Sequence, residues 1–208
     1  MDEEPKVKPQ YSMEGTGLHS YKNVKLEKSY EIMALRPMVE AILYAHLKLP
    51  ILDLASGLGD SADYFESRGI KTVRLDISTI AGKFQSKKGF VLGDMNTNNL
   101  PFADNSFSGV HIKDSMVHIK NKRNFFNEMS RILIPDGRLV ITTVSKLLQE
   151  TTKDGIKYYP VNINKLVNEG NKAGLALDEQ CLWCPLYQST DWYRKLSMTR
   201  AVLTFKKP

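Results

Sequence analysis

The sequence predicts an α/β protein, a mostly parallel sheet with helices on both faces. Three observations carry that expectation. Short apolar, β-branched runs alternate with stretches of helical period along most of the chain. A glycine-containing turn joins the first such run to the first helix. Four runs carry an acid at or just past their carboxyl ends, where open α/β sheets bind their ligands.

Taken in order, Ser29 to Leu47 has apolar residues at helical spacing, with Pro37 marking a kink or a new start. Ile51–Ala55 reads as a short buried strand. Asp60–Arg68 reads as a helix with Asp60 as its N-cap and Gly69 as its stop. Thr72–Asp76 is a second strand, and a short basic helix is expected over Ile80–Lys87. Phe90–Leu92 and Val110–Lys113 are the third and fourth strands. Asn121 caps a helix running to Leu133, whose Phe125, Met129, Ile132 and Leu133 share one side. Pro135-Asp136-Gly137 is a turn, and Arg138–Val144 a fifth strand. Asn162 caps a last helix that turns Ile163, Leu166, Val167 and Ala173 inward and ends at Gly174. Strands near Ala176–Trp183 and Ala201–Phe205 follow. Two segments are expected: residues 1–27 as an N-terminal arm or lid, and residues 28–208 as one domain.

The bulk properties suit that organisation. A chain of 208 residues, 42% hydrophobic and 25% charged, has the length and composition of one globular unit. No apolar run approaches the ~20 residues that cross a bilayer, so no membrane partner is expected. Met1–Gln10 is charged and contains proline, without the apolar stretch of a secretory signal, and reads as a frayed tail of a cytoplasmic protein. The two cysteines, Cys181 and Cys184, could form a redox pair or half of a zinc site, or be bland residues at a late strand. No second pair at zinc spacing accompanies them. The net charge of +6 comes from short basic groups such as Lys83/Lys87/Lys88 and Lys120/Lys122/Arg123. These are solvated faces or a surface for an acidic partner; nucleic acid is a possible partner but not the favoured one.

The first turn reads Asp53-Leu-Ala55-Ser56-Gly57-Leu58-Gly59-Asp60. Gly57 and Gly59 let the backbone bend and approach a ligand. Gly57-x-Gly59-x-x-Ala62, with Asp76 downstream, also fits a dinucleotide fingerprint, so the glycines alone leave a nicotinamide oxidoreductase open. Charge separates the two readings. A dinucleotide sets an anionic pyrophosphate at this helix start. Asp53 and Asp60 would oppose it, at about 4 kcal/mol per like-charge pair ~4 Å apart in an effective dielectric of 20. Carboxylates at Asp53, Asp76, Asp94 and Asp114 suit a cationic ligand rich in hydroxyls and donors.

Motif by motif, the chain resembles the class I methyltransferase family, small-molecule type. Ile51–Gly59 is similar to that family's first motif and Val73–Ser78 to its second. Gly93-Asp94-Met95 with Leu100–Phe107 resembles the third strand and its loop. Ser115–Ile119 and Arg131–Gly137 resemble the fourth and fifth blocks. The resemblance spans about residues 50 to 180. It implies a Rossmann-like, seven-stranded, mostly parallel sheet that binds S-adenosylmethionine. It further implies that Asp53 receives the methionine ammonium, and that Ala55, Gly57 and Gly59 lie against the ligand. Asp76 would accept both ribose hydroxyls and Asp94 the adenine amino group. Ile77 and Met95 would sandwich the ring, and Lys113 would border the methyl donor. Two positions depart from the pattern: Ala55 stands where glycine is common, and Ser108 where aspartate is common.

Methyl transfer from a sulfonium is an in-line displacement for which positioning supplies much of the rate. A base is needed only if the acceptor loses a proton. His118 is the first candidate, set against a structural histidine at a helix start, and Asp114 the second. His111 lies inside a strand and reads as structural. None of the four histidines has ligand spacing, so no metal is expected. Tyr11, His19 and Tyr21 lie in the arm that would close over the site. Trp183, Tyr187, Trp192 and Tyr193 could line an acceptor pocket or pack beneath a loop. Lys113-Asp-Ser-Met lacks the Asn/Asp-Pro-Pro-aromatic run of base-amino methyltransferases, and no Pro-Cys nucleophile follows the fourth strand. A small-molecule acceptor is the expectation; an RNA or protein methyltransferase and a nicotinamide oxidoreductase are the alternatives.

Overall fold

The computed structural model describes residues 49–85, 89–144, 146–147, 151–153, 156–183 and 200–208. The expected helix before residue 48, the lid, and the aromatic residues beyond Trp183 lie outside the described residues. In chain order the elements are β1 (Ile51–Leu54), α1 (Asp60–Ser67), β2 (Thr72–Asp76), α2 (Thr79–Gln85) and β3 (Phe90–Leu92). Then come β4 (Phe107–Lys113), a 3-10 turn (Met116–His118), α3 (Lys122–Ile132) and β5 (Leu133–Val144). Four short strands follow: β6 (Lys146–Leu147), β7 (Thr151–Lys153), β8 (Ile156–Tyr158) and β9 (Val161–Asn162). The last elements are α4 (Ile163–Lys172), β10 (Ala176–Trp183) and β11 (Arg200–Lys206).

Seven strands form one sheet in the order β10-β11-β5-β4-β1-β2-β3. β11 runs antiparallel to both its neighbours, and the pairings from β5 to β3 are parallel. The expected α/β sheet is therefore present. Strand alternation divides its faces. Leu52, Leu54, Val110, Ile112, Leu139, Ile141, Leu203 and Phe205 pack with Phe125, Phe126 and Met129 of α3 and Leu166 of α4 in the main core. The opposite face carries Asp53 and His111 at matched register, with the His111 ring edge-on to Phe65 of α1. Helices thus cover both faces.

Several boundaries move. Gly59, not Asp60, is the N-cap of α1, with φ 85° and no side-chain cap bond; Asp60 is the first helical residue. The caps at Asn121 and Asn162 hold, accepting from Asn124 N–H and Lys165 N–H at 3.1 Å each. The fourth strand begins at Phe107, three residues earlier than expected. The turn at Pro135–Gly137 lies inside β5, where the register against β4 shifts and Asp136 takes φ 65°. The paired strands β6–β9 and β7–β8 were not expected, because runs of two or three residues show no period.

The loop between β3 and β4 is anchored from α3. Glu128, 4% exposed, accepts the Leu100 N–H at 2.6 Å. Arg131 grips the same carboxylate with two nitrogens, at 2.9 and 2.6 Å, and donates to the Phe102 carbonyl at 2.8 Å and to Asp104 at 2.6 Å. These carboxylates lift the Arg131 guanidinium above its ordinary pKa, the Glu128 hydrogen bond contributing most. Glu128→Gln keeps the shape but halves the acceptor capacity. It should cost about 1 kcal/mol in urea unfolding and raise amide exchange at Leu100.

Candidate active site

The chain leaves β1 for β2 and β3 on one side, then returns to β4 and β5 on the other. The crevice outside the carboxyl ends of β1 and β4 is the switch point at which such sheets bind ligands. Three turns meet there.

The first follows β1. Ala55 takes φ 58°, Gly57 φ 57° and Gly59 φ 85°. Glycine occupies such left-handed positions freely, while alanine is strained there by about 1 kcal/mol, which explains why glycine is common at the place of Ala55. Ser56 N–H donates to the Leu75 carbonyl at 3.0 Å, tying the turn to β2. A Cβ on Gly59 would lie 2.5 Å from Oε1 of Gln85, so the Gln85 amide would have to shift, and φ 85° strains any L side chain there. Gln85, 2% exposed at the end of α2, donates through Nε2 to Ser56 Oγ and the Gly57 carbonyl. Sequence reasoning missed Gln85; a glutamine in a short basic helix gives no signal of a partner 28 residues away.

The second turn follows β2. Asp76 ends that strand, and its carboxylate accepts Gly57 N–H at Oδ2 and Ser78 N–H at Oδ1, each at 2.8 Å. Burial raises its pKa above the ordinary 3.8. The amides of Ser78 and Gly57 oppose that rise, and the Asp53 charge adds to it. Ile77 beside it is 36% exposed. Asp53 lies within β1 rather than past its end, 2% exposed. Its Oδ1 is 3.0 Å from His111 Nδ1, and its Oδ2 is buried without a hydrogen-bond partner.

The third region joins the ends of β3 and β4. Asp94 is exposed and accepts Asn96 N–H at Oδ1, 2.8 Å away. Met95 is half-buried against the main core. Asn96 spans the two loops: its side chain donates to the His118 carbonyl at 3.2 Å and accepts Lys120 N–H at 2.9 Å. Lys113 closes β4 half-buried. Asp114 takes φ 54° and donates its N–H to the Thr142 carbonyl at 2.7 Å. The His118 ring, half-buried, lies 5.1 Å from the Tyr158 ring. Burial lowers the Lys122 ammonium to about 8; its Nζ donates to the Ile119 carbonyl and sits 5.9 Å from the Tyr159 ring centre. Ser108, at the place where aspartate is common, is buried and donates to the Leu49 carbonyl. Among the described residues, no group of three His, Cys, Asp or Glu side chains could hold a metal, and no helix is long and apolar enough to cross a membrane.

Asp53, Ala55, Gly57, Gly59 and Asp76 are therefore contiguous. Asp94 and Met95 flank them beyond β3, and Lys113, Asp114 and His118 lie at the end of β4. Residues 52–141 match the family described as a methyltransferase domain. The fold, the motif order and this match make that region similar to class I methyltransferase domains.

Among individual proteins, the chain is similar to the demethylmenaquinone methyltransferase of Paenarthrobacter aurescens. The two are 36% identical over 99 residues, covering 46% of this chain and 38% of that protein. It is also similar to the ubiquinone/menaquinone biosynthesis C-methyltransferase of Hydrogenovibrio crunogenus, 29% identical over 124 residues, 54% of this chain and 49% of that one. The matched region thus spans about half or less of these relatives. The fold matches geranyl diphosphate C-methyltransferase of Streptomyces coelicolor A3(2), with a TM-score of 0.68 at 14% identity, over 97% of this chain and 91% of that one.

The residues present suit the cofactor of this class. One carboxylate oxygen of Asp53 is buried without a hydrogen-bond partner, which a cationic donor would satisfy, and φ 85° at Gly59 favours glycine. Asp76 can exchange its two amide donors for two hydroxyls.

Proposed function

We propose that this chain transfers a methyl group from S-adenosylmethionine to a small molecule carrying an ionisable ring, by in-line displacement. The observation that carries the reading is the convergence of Asp53 and Asp76 on one glycine turn, with one Asp53 oxygen unpartnered in the interior. The bound cofactor supplies a sulfonium-activated methyl group. Asp53 takes its ammonium, Asp76 its two ribose hydroxyls, and Asp94 its adenine amino group. Ile77 and Met95 hold the adenine, while Lys113 borders the methyl donor.

The acceptor enters from the end of β4. There the His118 ring lies against Tyr158, and the Lys122 ammonium lies near the Tyr159 ring. His118, with Asp114 as the second candidate, would take the acceptor's proton, while the acceptor's electron pair bonds the methyl carbon, the sulfur–methyl bond breaks and S-adenosylhomocysteine leaves. A ring acceptor is favoured by these tyrosines. The relatives named as demethylmenaquinone and ubiquinone/menaquinone methyltransferases support the same class of substrate.

The test is calorimetric titration with S-adenosylhomocysteine and with nicotinamide dinucleotide, followed by transfer of labelled methyl to a panel of soluble hydroquinones. Micromolar binding of the first ligand alone is expected. Binding of the dinucleotide alone overturns the reading, and labelling of RNA in place of the ring compounds overturns the acceptor class. In the active panel member, His118→Ala should lower kcat about a hundredfold with little change in cofactor affinity. Full turnover in that variant removes the base.

A further inference from the structure

Three neighbouring strands carry a buried polar row beneath α1. Arg74 of β2, Asp53 of β1 and His111 of β4 are registered partners, exposed by 0%, 2% and 3% respectively. Registered residues in a parallel sheet share a face. Here that face is the one under α1: Arg74 reaches Glu66 and Asp63 of this helix, and His111 lies edge-on to Phe65, with ring centres 5.4 Å apart. Other described positions of that face carry uncharged groups, among them Ile51 of β1, Thr72 of β2 and Val140, the β5 partner of His111. A polar row in the interior is costly unless its members are hydrogen-bonded or paired.

Arg74 has one, since it docks α1. Asp53 and His111 are placed differently. The histidine engages Oδ1 of the carboxylate at 3.0 Å and leaves Oδ2 with no hydrogen-bond partner. A buried carboxylate oxygen without a donor costs more than a satisfied one. The same carboxylate is close enough to Asp76 to raise the latter's pKa, which sets its charge beside the ligand turn rather than away from it.

We propose that His111 is a positioning residue for the cofactor: by holding Oδ1 of Asp53 it fixes the second oxygen, Oδ2, for the ammonium of S-adenosylmethionine. The inference rests on the cofactor reading above and deepens it. A carboxylate on a short side chain has two soft torsions. Pinning one oxygen removes most of that freedom before the ligand arrives, so less is lost on binding. The tautomer is set by the same contact, with Nδ1–H donating to the ionised carboxylate. Apart from the ligand, Asp53 then needs no second donor.

The experiment compares two ligands that share a nucleoside. S-adenosylhomocysteine carries the ammonium; 5′-methylthioadenosine does not. In the full chain, His111→Leu should weaken S-adenosylhomocysteine by roughly tenfold or more and leave 5′-methylthioadenosine unchanged. His111→Asn, whose amide can donate at the place of Nδ1, should restore most of the loss. Should the leucine variant fail to fold, His111→Ser serves as the polar replacement too short to reach Oδ1. Adding either change to Asp53→Asn should cost nothing further, because the positioned group is already gone. Equal loss of both ligands, no loss of either, or no recovery with asparagine overturns the inference. Failure of the unaltered protein to bind S-adenosylhomocysteine would instead overturn the cofactor reading.

Discussion

Asp76→Ala should weaken S-adenosylhomocysteine binding by about a hundredfold while moving the melting temperature by only a few degrees. The affinity loss follows from two hydrogen bonds to a charged acceptor, each contributing about 1.5–3 kcal/mol, not fully additive. The small stability effect follows from two opposed contributions. The carboxylate holds the amides of Gly57 and Ser78, which favours the fold. Burial nevertheless raises its pKa, so its ionised form is held in the folded state at a cost.

The pH dependence has a definite sign. Between the ordinary value of 3.8 and the raised folded value, the folded chain binds more protons than the unfolded one. Stability therefore falls as pH rises through that window, and the cost is complete above it. Cofactor affinity runs the other way, because ribose hydroxyls need the carboxylate ionised. The acid limb of affinity should lie above pH 3.8 and should flatten in Asp76→Asn. Calorimetric titration across pH checks both, and an unchanged affinity in the alanine variant would displace the ribose from Asp76.

Arg74→Ala should destabilise the protein by about 2–3 kcal/mol, measured by urea unfolding. The side chain is wholly buried. It forks onto both oxygens of Glu66, at 2.9 and 2.7 Å, and reaches Asp63 at 2.9 Å. Removing one member of a fully enclosed ion pair costs 3–5 kcal/mol. Here the carboxylates are 41% and 37% exposed and rehydrate when the cation is gone, which sets the lower figure. Arg74→Lys should recover little, since an ammonium cannot fork onto a carboxylate. Arg74→Met should recover most, because it refills the volume without leaving a charge in the interior. Affinity for S-adenosylhomocysteine should drop in the alanine variant as well, because α1 carries the glycine turn at its amino end. A melting temperature unchanged by Arg74→Ala would mean that packing, not this ion pair, docks the helix.

The alternation of strands and helices, both asparagine caps and the glycine turn between Asp53 and Asp60 were readable from the sequence because each rests on neighbours in the chain. Asp76 was readable too, as the acid that ends the second strand. The features that organise the interior were not. Arg74 sits mid-strand among apolar residues, and its partners are 8 and 11 positions away on an element whose docking angle no local pattern sets. His111 faces an aspartate 58 positions earlier, a pairing that exists only once β1 and β4 are in register. Gln85 is hidden for the same reason. Asp60 was misread as a cap because its residue type favours that role, whereas Gly59 takes it through a positive φ. What stayed illegible is the set of contacts made across strands, where the sheet brings distant residues together.

The strand order also shapes how the chain is made. β10 hydrogen-bonds to the sheet through β11 alone, and β11 is the later of the two to be synthesised. Until Arg200–Lys206 leaves the ribosome, β5 presents an open edge and β10 has no template to join. The nascent polypeptide can assemble its ligand-binding half early, from β1 to β5. It must still wait for this inserted strand before that flank closes, and until then the uncovered edge of β5 is a template for pairing with other chains.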